Sequence, residues 1–186
     1  MPRCALHGPP AAHERTPVMT EPVLPDAEQL LIALTAQMRP HVTAQTGLIG
    51  IVTGGAWLAE RLHRELKLKV PHGSLDVSFY RDDFQRKGLK RKVAPSAIPF
   101  EIEGSDLILV DDVLYTGRTI RAAMNELFDY GRPARIRLAA LVDRGGRELP
   151  IAAQFVGTDL DVPVQYSVDL EKTEDGKLHL VLQAKN

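Results

Sequence analysis

At 186 residues the chain suits one domain with an adequate core, since domains commonly run to roughly 100–200 residues. Its formal net charge of -1 leaves no global field to draw it toward nucleic acid or anionic lipid, so any RNA surface must be a local patch. The sole cysteine, Cys4, rules out an internal disulfide framework, and no apolar run approaches the roughly 18 residues of a membrane helix; the expectation is a cytoplasmic protein without a membrane partner.

Residues 1–25 are rich in proline, alanine and histidine without helical or strand period, and are expected to form a poorly ordered extension to a domain spanning 26–186. Met19 is a candidate start site within it. His7 and His13 have no ligand partners at metal spacing and are assigned no role. Asp26 is placed to cap a helix carrying Leu30, Leu31, Leu34 and Met38 on one face, with Pro40 at its end. Gly47-Leu48-Ile49-Gly50-Ile51-Val52 reads as a first central strand. It runs through Thr53-Gly54-Gly55 into a helix bearing Leu58, Leu62 and Leu66. Two adjacent glycines there read either as an ordinary tight turn or as bare amides facing an anion. Leu75 to Tyr80 alternates as a strand. From Arg81 to Pro99 the chain is charged and irregular, with Arg86, Lys87, Lys90, Arg91 and Lys92 close together, which fits a solvated hairpin or a functional loop.

Leu107-Ile108-Leu109-Val110 reads as a short strand buried on both faces, with Asp111 and Asp112 at its carboxyl end. A small-polar turn, Tyr115-Thr116-Gly117-Arg118-Thr119, follows, and then an amphipathic helix with Ile120, Met124, Leu127 and Phe128 on one side and Arg121, Asn125 and Asp129 on the other. Gly131-Arg132-Pro133 ends that helix. Ile136 to Val142 is the next strand, with Asp143-Arg144-Gly145-Gly146-Arg147 as its carboxyl-end loop. Phe155-Val156-Gly157 and Val162 to Tyr166 look like short late strands, and Leu178 to Leu182 like a closing antiparallel edge on which His179 belongs to the surface.

Strand, turn and helix in this order predict an α/β fold whose ligands lie beyond the carboxyl ends of the strands, where helix N-termini offer unpaired N–H groups to a phosphate. Thr116, Gly117, Arg118 and Thr119 supply such amides and two hydroxyls. The neighbouring carboxylates of Asp111 and Asp112 would repel the same phosphate and suit vicinal hydroxyls or a hydrated metal instead. A phosphate, a diol and Mg²⁺ within one loop's reach describe a ribose 5-phosphate. Paired acids at a strand end also occur in phosphoacceptor receiver domains and as helix caps, but a receiver needs separate acidic, hydroxyl and lysine positions and no Thr-Gly-Arg-Thr turn.

Leu107 to Thr119 resembles the PRPP-binding signature of type I phosphoribosyltransferases. With Tyr80-Arg81-Asp82-Asp83 and Leu141-Val142-Asp143-Arg144-Gly145-Gly146-Arg147-Glu148-Leu149-Pro150, the chain is similar, from about Asp26 to about Asp159, to the PyrR family of pyrimidine-operon attenuators with uracil phosphoribosyltransferase activity. The resemblance implies a mostly parallel central sheet flanked by helices, with a small hood and a flexible flap, and the reaction of uracil with PRPP to give UMP and diphosphate. It implies catalytic roles for Asp111, Asp112 and Arg81, the last carried by the flap. Val113, Leu114, Tyr115, Thr116, Gly117, Arg118 and Thr119 would hold the 5′-phosphate of PRPP or UMP, and Thr53, Gly54 and Gly55 the pyrophosphate. Val142, Asp143, Arg144 and Gly145 would read uracil, although Arg144 and Arg147 also admit structural, interface or RNA roles. Mg²⁺ would bind through PRPP, with Asp111 and Asp112 as its protein ligands if any.

The same resemblance implies a homodimer or higher homo-oligomer and binding of the operon's leader RNA under control of UMP or UTP. Gly54 stands where many members have arginine, a departure that removes a charged donor from the pyrophosphate loop and leaves its backbone amides. Two departures weaken the RNA reading, Gly146 where the RNA-binding regulators have histidine and Ala152 where they have a basic residue, and the first helix offers RNA only Arg39 and His41. A purine phosphoribosyltransferase and a purely regulatory RNA-binding attenuator are the alternatives.

Overall fold

The computed structural model describes residues 23–77 and 96–185. Residues 1–22, with Met19, and the stretch containing Tyr80-Arg81-Asp82-Asp83 and the basic residues to Lys92 lie outside the described residues, as does the expected flap.

Five parallel strands make the central sheet in the order β2-β1-β3-β4-β5. They are β1 (Gly47–Ile51), β2 (Gly73–Leu75), β3 (Asp106–Leu114), β4 (Arg135–Asp143) and β5 (Phe155–Asp159). Parallel strands need crossovers, and two of these are α2 (Gly54–Leu66) and α3 (Arg118–Tyr130). A first helix, α1 (Ala27–Met38), precedes the sheet, and β6 (Tyr166–Lys172) and β7 (Leu178–Ala184) form a separate antiparallel hairpin.

The Leu107 to Val110 run shows why this sheet is buried on both faces. Ile108 and Val110 point into one apolar cluster with Leu31, Leu34 and Met38 of α1, Leu58 and Leu62 of α2, and Val168, Leu170, Leu178 and Leu180 of the hairpin. Leu107 and Leu109 point the opposite way, into a second cluster with Ile49, Leu75, Ile120, Ala123 and Leu127. Each fully buried leucine contributes about 2 kcal/mol against exposure.

Asp26 caps α1 through its carboxylate, which accepts from the Glu28 N–H at 2.8 Å and the Gln29 N–H at 3.2 Å. Pro40 falls in a short 3-10 turn, Arg39–His41, where the α-helix stops. Glu28 then ties three elements together, accepting from Arg61 of α2 at 2.7 Å and from the Leu178 N–H of β7 at 2.9 Å. The Arg61 guanidinium holds its carboxyl below the ordinary range.

Five expected details differ. β3 continues through both aspartates to Leu114, because pairing to β4 persists at Asp111↔Ala140, Val113↔Val142 and Leu114↔Asp143. β2 occupies Gly73–Leu75 rather than starting at Leu75. Val162 to Tyr166 is no strand; Tyr166 instead begins β6. The hairpin containing Leu178 to Leu182 closes on itself and not on the edge of the main sheet. Phe128, expected on the apolar side of its helix, is 51% exposed, and the small residues Ala122 and Ala123 face inward with Ile120 and Leu127.

Candidate active site at the carboxyl edge of the sheet

Three loops meet beyond the strand ends: Val52 to Gly55 after β1, Tyr115 to Gly117 after β3, and Arg144 to Leu149 after β4. The first two each lead into a helix. Neither N-cap residue caps its helix: Thr53 precedes α2 and Gly117 precedes α3 without a capping hydrogen bond from either side chain. In α1 the same job is done by Asp26. Two helix N-termini therefore open on one edge of the sheet, α2 without a side-chain cap and α3 with the Thr116 hydroxyl on its first N–H, and helix N-termini are places that receive an anion.

Pairing between β1 and β3 ends at Gly50↔Val110. Beyond it β1 turns toward β2, with the Val52 N–H donating to the Leu75 carbonyl at 2.9 Å. The space beside Asp111 and Asp112 is filled instead by the backbone of Gly54 and Gly55. A β-carbon on Gly54 would collide with the Asp112 carboxylate, and one on Gly55 with the Val110 carbonyl. Glycine at both positions permits main chain to lie directly against the acids. Arginine at position 54 has no room in this arrangement.

Both aspartates are buried, at 3% and 7% exposure. The Asp111 carboxylate accepts from the Asp112 N–H at 3.1 Å, a contact that orients the first acid by the backbone of the second. Together they offer hard oxygen donors. No cluster of three or more metal-binding side chains occurs among the described residues. Two carboxylates fit Mg²⁺ completed by water and substrate oxygens, as is usual for that ion, rather than an all-protein cage.

At the β3–α3 turn, Gly117 takes φ +90°, a conformation open to glycine and strained for other residues. The Thr116 hydroxyl accepts from the Arg118 N–H at 3.3 Å. The turn is braced by the loop after β4: the Thr116 carbonyl accepts from the Glu148 and Leu149 N–H groups at 3.0 and 3.2 Å. Arg118 also pairs with Glu148 at 2.6 Å.

Arg147 completes the brace. Its guanidinium donates to the carbonyls of Tyr115 at 2.6 Å, Gly145 at 3.0 Å and Ile151 at 3.0 Å, and pairs with the Asp143 carboxylate. Arg144 is 8% exposed and turned inward, donating to the carbonyls of Tyr166 at 3.1 Å and Val162 at 3.2 Å. Of the groups expected to read uracil, the Arg144 side chain thus points into the fold, while Val142, Asp143 and Gly145 lie at the end of β4 beside the turn. Sequence reasoning missed Glu148 and Leu149 as part of this assembly; the signal was their place directly after Asp143 to Arg147.

Residues 24–171 match the phosphoribosyl transferase domain. The chain is thus a protein of the phosphoribosyltransferase class. Proteins named bifunctional protein PyrR are 54% identical over 144 residues in Pseudomonas aeruginosa, covering 75% of this chain and 84% of that protein, and 52% identical over 143 residues in Nitrosococcus oceani, covering 76% and 81%. The chain belongs to the PyrR family. Among solved structures, a hypoxanthine-guanine phosphoribosyltransferase from Bacillus anthracis superposes with TM-score 0.60 at 20% identity, over 76% of this chain and 85% of that one. A purine phosphoribosyltransferase from Pyrococcus horikoshii gives 0.56 at 22% identity, over 73% and 83%. At those identities the likeness is one of fold. No helix among the described residues is long and apolar enough to cross a membrane.

Proposed function

We propose that this chain transfers the phosphoribosyl group of PRPP to uracil, giving UMP and diphosphate, in the cytoplasm and as a homodimer or higher homo-oligomer. The observation that carries this reading is the pair of helix N-termini flanking two buried aspartates, because one substrate with two anionic groups and a diol between them satisfies all of these features. Thr116 to Thr119 receive the 5′-phosphate on their amides and hydroxyls. The Gly54-Gly55 amides receive the pyrophosphate, and Asp111 and Asp112 hold the ribose hydroxyls.

In the reaction the bond from the anomeric carbon to the pyrophosphate oxygen breaks, and a bond to uracil N1 forms as N1 loses its proton. Positive charge develops on the ribose, and the two nearby carboxylates stabilise it electrostatically. Mg²⁺, when bound, neutralises charge on the departing diphosphate. No nucleophilic side chain is required. The base is assigned to the end of β4 and the loop after it, Val142 to Gly145, a role supported by the place of this segment beside the turn.

The decisive assay offers uracil, hypoxanthine and guanine in turn with PRPP and Mg²⁺. UMP formation with no purine nucleotide is the expected result, and a preference for either purine overturns the assignment of base. Family membership supports a second activity, binding of the operon's leader RNA under control of UMP or UTP. Filter binding at low salt is expected to show retention of that RNA, strengthened by UMP; no retention removes regulation by this route.

A further inference from the structure

Tyr115 is the first residue of the β3–α3 turn, and its ring is enclosed by elements distant in sequence. The Arg144 guanidinium carbon lies 4.2 Å from the ring centroid, and the Lys185 ammonium, one residue beyond β7, lies 5.2 Å from it. Arg144 is itself fixed. Two of its nitrogens donate to the carbonyls of Val162 and Tyr166, where the chain enters the β6–β7 hairpin, and its Nε is buried without a hydrogen-bond partner. A buried Nε without a partner is costly, so the two hydrogen bonds hold the guanidinium in place without satisfying it. The stack on Tyr115 is the further contact this placement makes. Burial pushes the Arg144 pKa down, yet an arginine starts so high that the group stays charged and cation–π attraction persists.

Gly146 gives independent support. It takes φ +67°, and a β-carbon there would strike the Tyr115 ring, with Cδ2 3.0 Å away and Cε2 closer still. The main chain at 146 thus closes against the ring that Arg144 covers.

We infer that Arg144 is a positioning residue for ribose-phosphate binding, acting through Tyr115 rather than by touching substrate or base. The inference rests on the phosphoribosyl reading above and adds to it a coupling between the C-terminal hairpin and the turn. Tyr115 also has its carbonyl held by Arg147, so ring and backbone are pinned from the same loop. A turn that must offer several amides to one phosphate gains affinity when its conformation is set before the ligand arrives.

The test is a thermodynamic cycle on the full chain, with PRPP and, separately, UMP titrated calorimetrically into wild type, Arg144→Lys, Tyr115→Leu and the double variant. Lysine keeps the charge and loses the planar stack. Arg144→Lys is expected to weaken PRPP binding about tenfold, the scale of a desolvated cation–π contact, and to add less than about twofold when Tyr115 is already leucine. In steady-state assays the KM for PRPP rises while the KM for uracil does not. A rise confined to the uracil KM, or an effect that is undiminished in the Tyr115→Leu background, overturns the proposal. Should Arg144→Lys fail to fold, Gly146→Ala decides instead, measured in wild type and in the Tyr115→Leu background: since the backbone strain of alanine at φ +67° is common to both, a fall in PRPP affinity that is relieved when the ring is gone supports the proposal, and an unchanged affinity or an equal fall in both backgrounds overturns it. Wild type that binds neither PRPP nor UMP would instead sink the phosphoribosyl reading itself.

Discussion

The two ends of β3 hold acids in opposite circumstances. Asp106, at the amino end, is gripped by Arg135 at 2.8 Å and by Arg137 at 2.9 Å. The Arg135 hydrogen bond, with Arg137 beside it, draws its carboxyl below the ordinary aspartate range against the opposing effect of burial. Arg137 in turn donates to the His41 carbonyl at 2.7 Å and lies over Phe155, so this corner fastens β3, β4, β5 and the turn after α1. Asp111 and Asp112, at the carboxyl end, are more deeply buried than Asp106 and lie against glycine backbone. One strand thus uses a carboxylate as a fastener at one end and, in the proposed function, offers a pair of them to a ligand at the other. Position along a parallel strand, and not residue type, divides structural from functional charge.

That division is broken most severely at the carboxyl end. Asp112→Asn is expected to lower UMP turnover about a thousandfold, roughly 4 kcal/mol of transition-state stabilisation, while the fold is retained; steady-state kinetics beside a melting curve checks both halves. Near-normal turnover in that variant would remove its assigned role. Asp106→Asn should do the reverse, costing roughly 1–2 kcal/mol of stability with turnover unchanged. The pH dependence fixes the sign. Because the folded pKa of Asp106 lies below its unfolded value, its contribution is complete above the unfolded pKa and is lost as pH falls through the folded one. Acid unfolding curves of wild type and Asp106→Asn should therefore converge at the acid end and separate as pH rises. Curves that stay parallel throughout would show that the pairing with Arg135 and Arg137 adds no stability.

Long periodic segments were legible in the sequence, and so was the edge of the sheet at which the loops gather. α1, α2, β1 and β4 follow from apolar spacing and caps. β3 was read short because charged residues at 111 and 112 end an apolar run, whereas pairing to β4 is a tertiary fact that continues regardless. β2 has three residues, too few to display alternation, and neighbouring Val77 drew the reading downstream. Pro163 and the late start of β6 undid the strand expected at Val162 to Tyr166. Arg144 shows the deepest limit: Asp-Arg-Gly-Gly has the local look of a solvated loop. The carbonyls that turn this arginine inward come from Val162 and Tyr166, residues with no sequence cue to that role.

The mismatch in length between β1 and β3 has a consequence for how such a site can change. β3 outruns its β1 partner from Asp111 onward, and the bare peptide of Gly54 and Gly55 covers the overhang where a longer β1 would have paired. How closely that peptide meets the two acids is therefore set by where hydrogen-bonded pairing stops and by the lack of a β-carbon at either position. A β1 ladder two residues longer would instead set paired strand where that peptide now lies and push it away from Asp111 and Asp112.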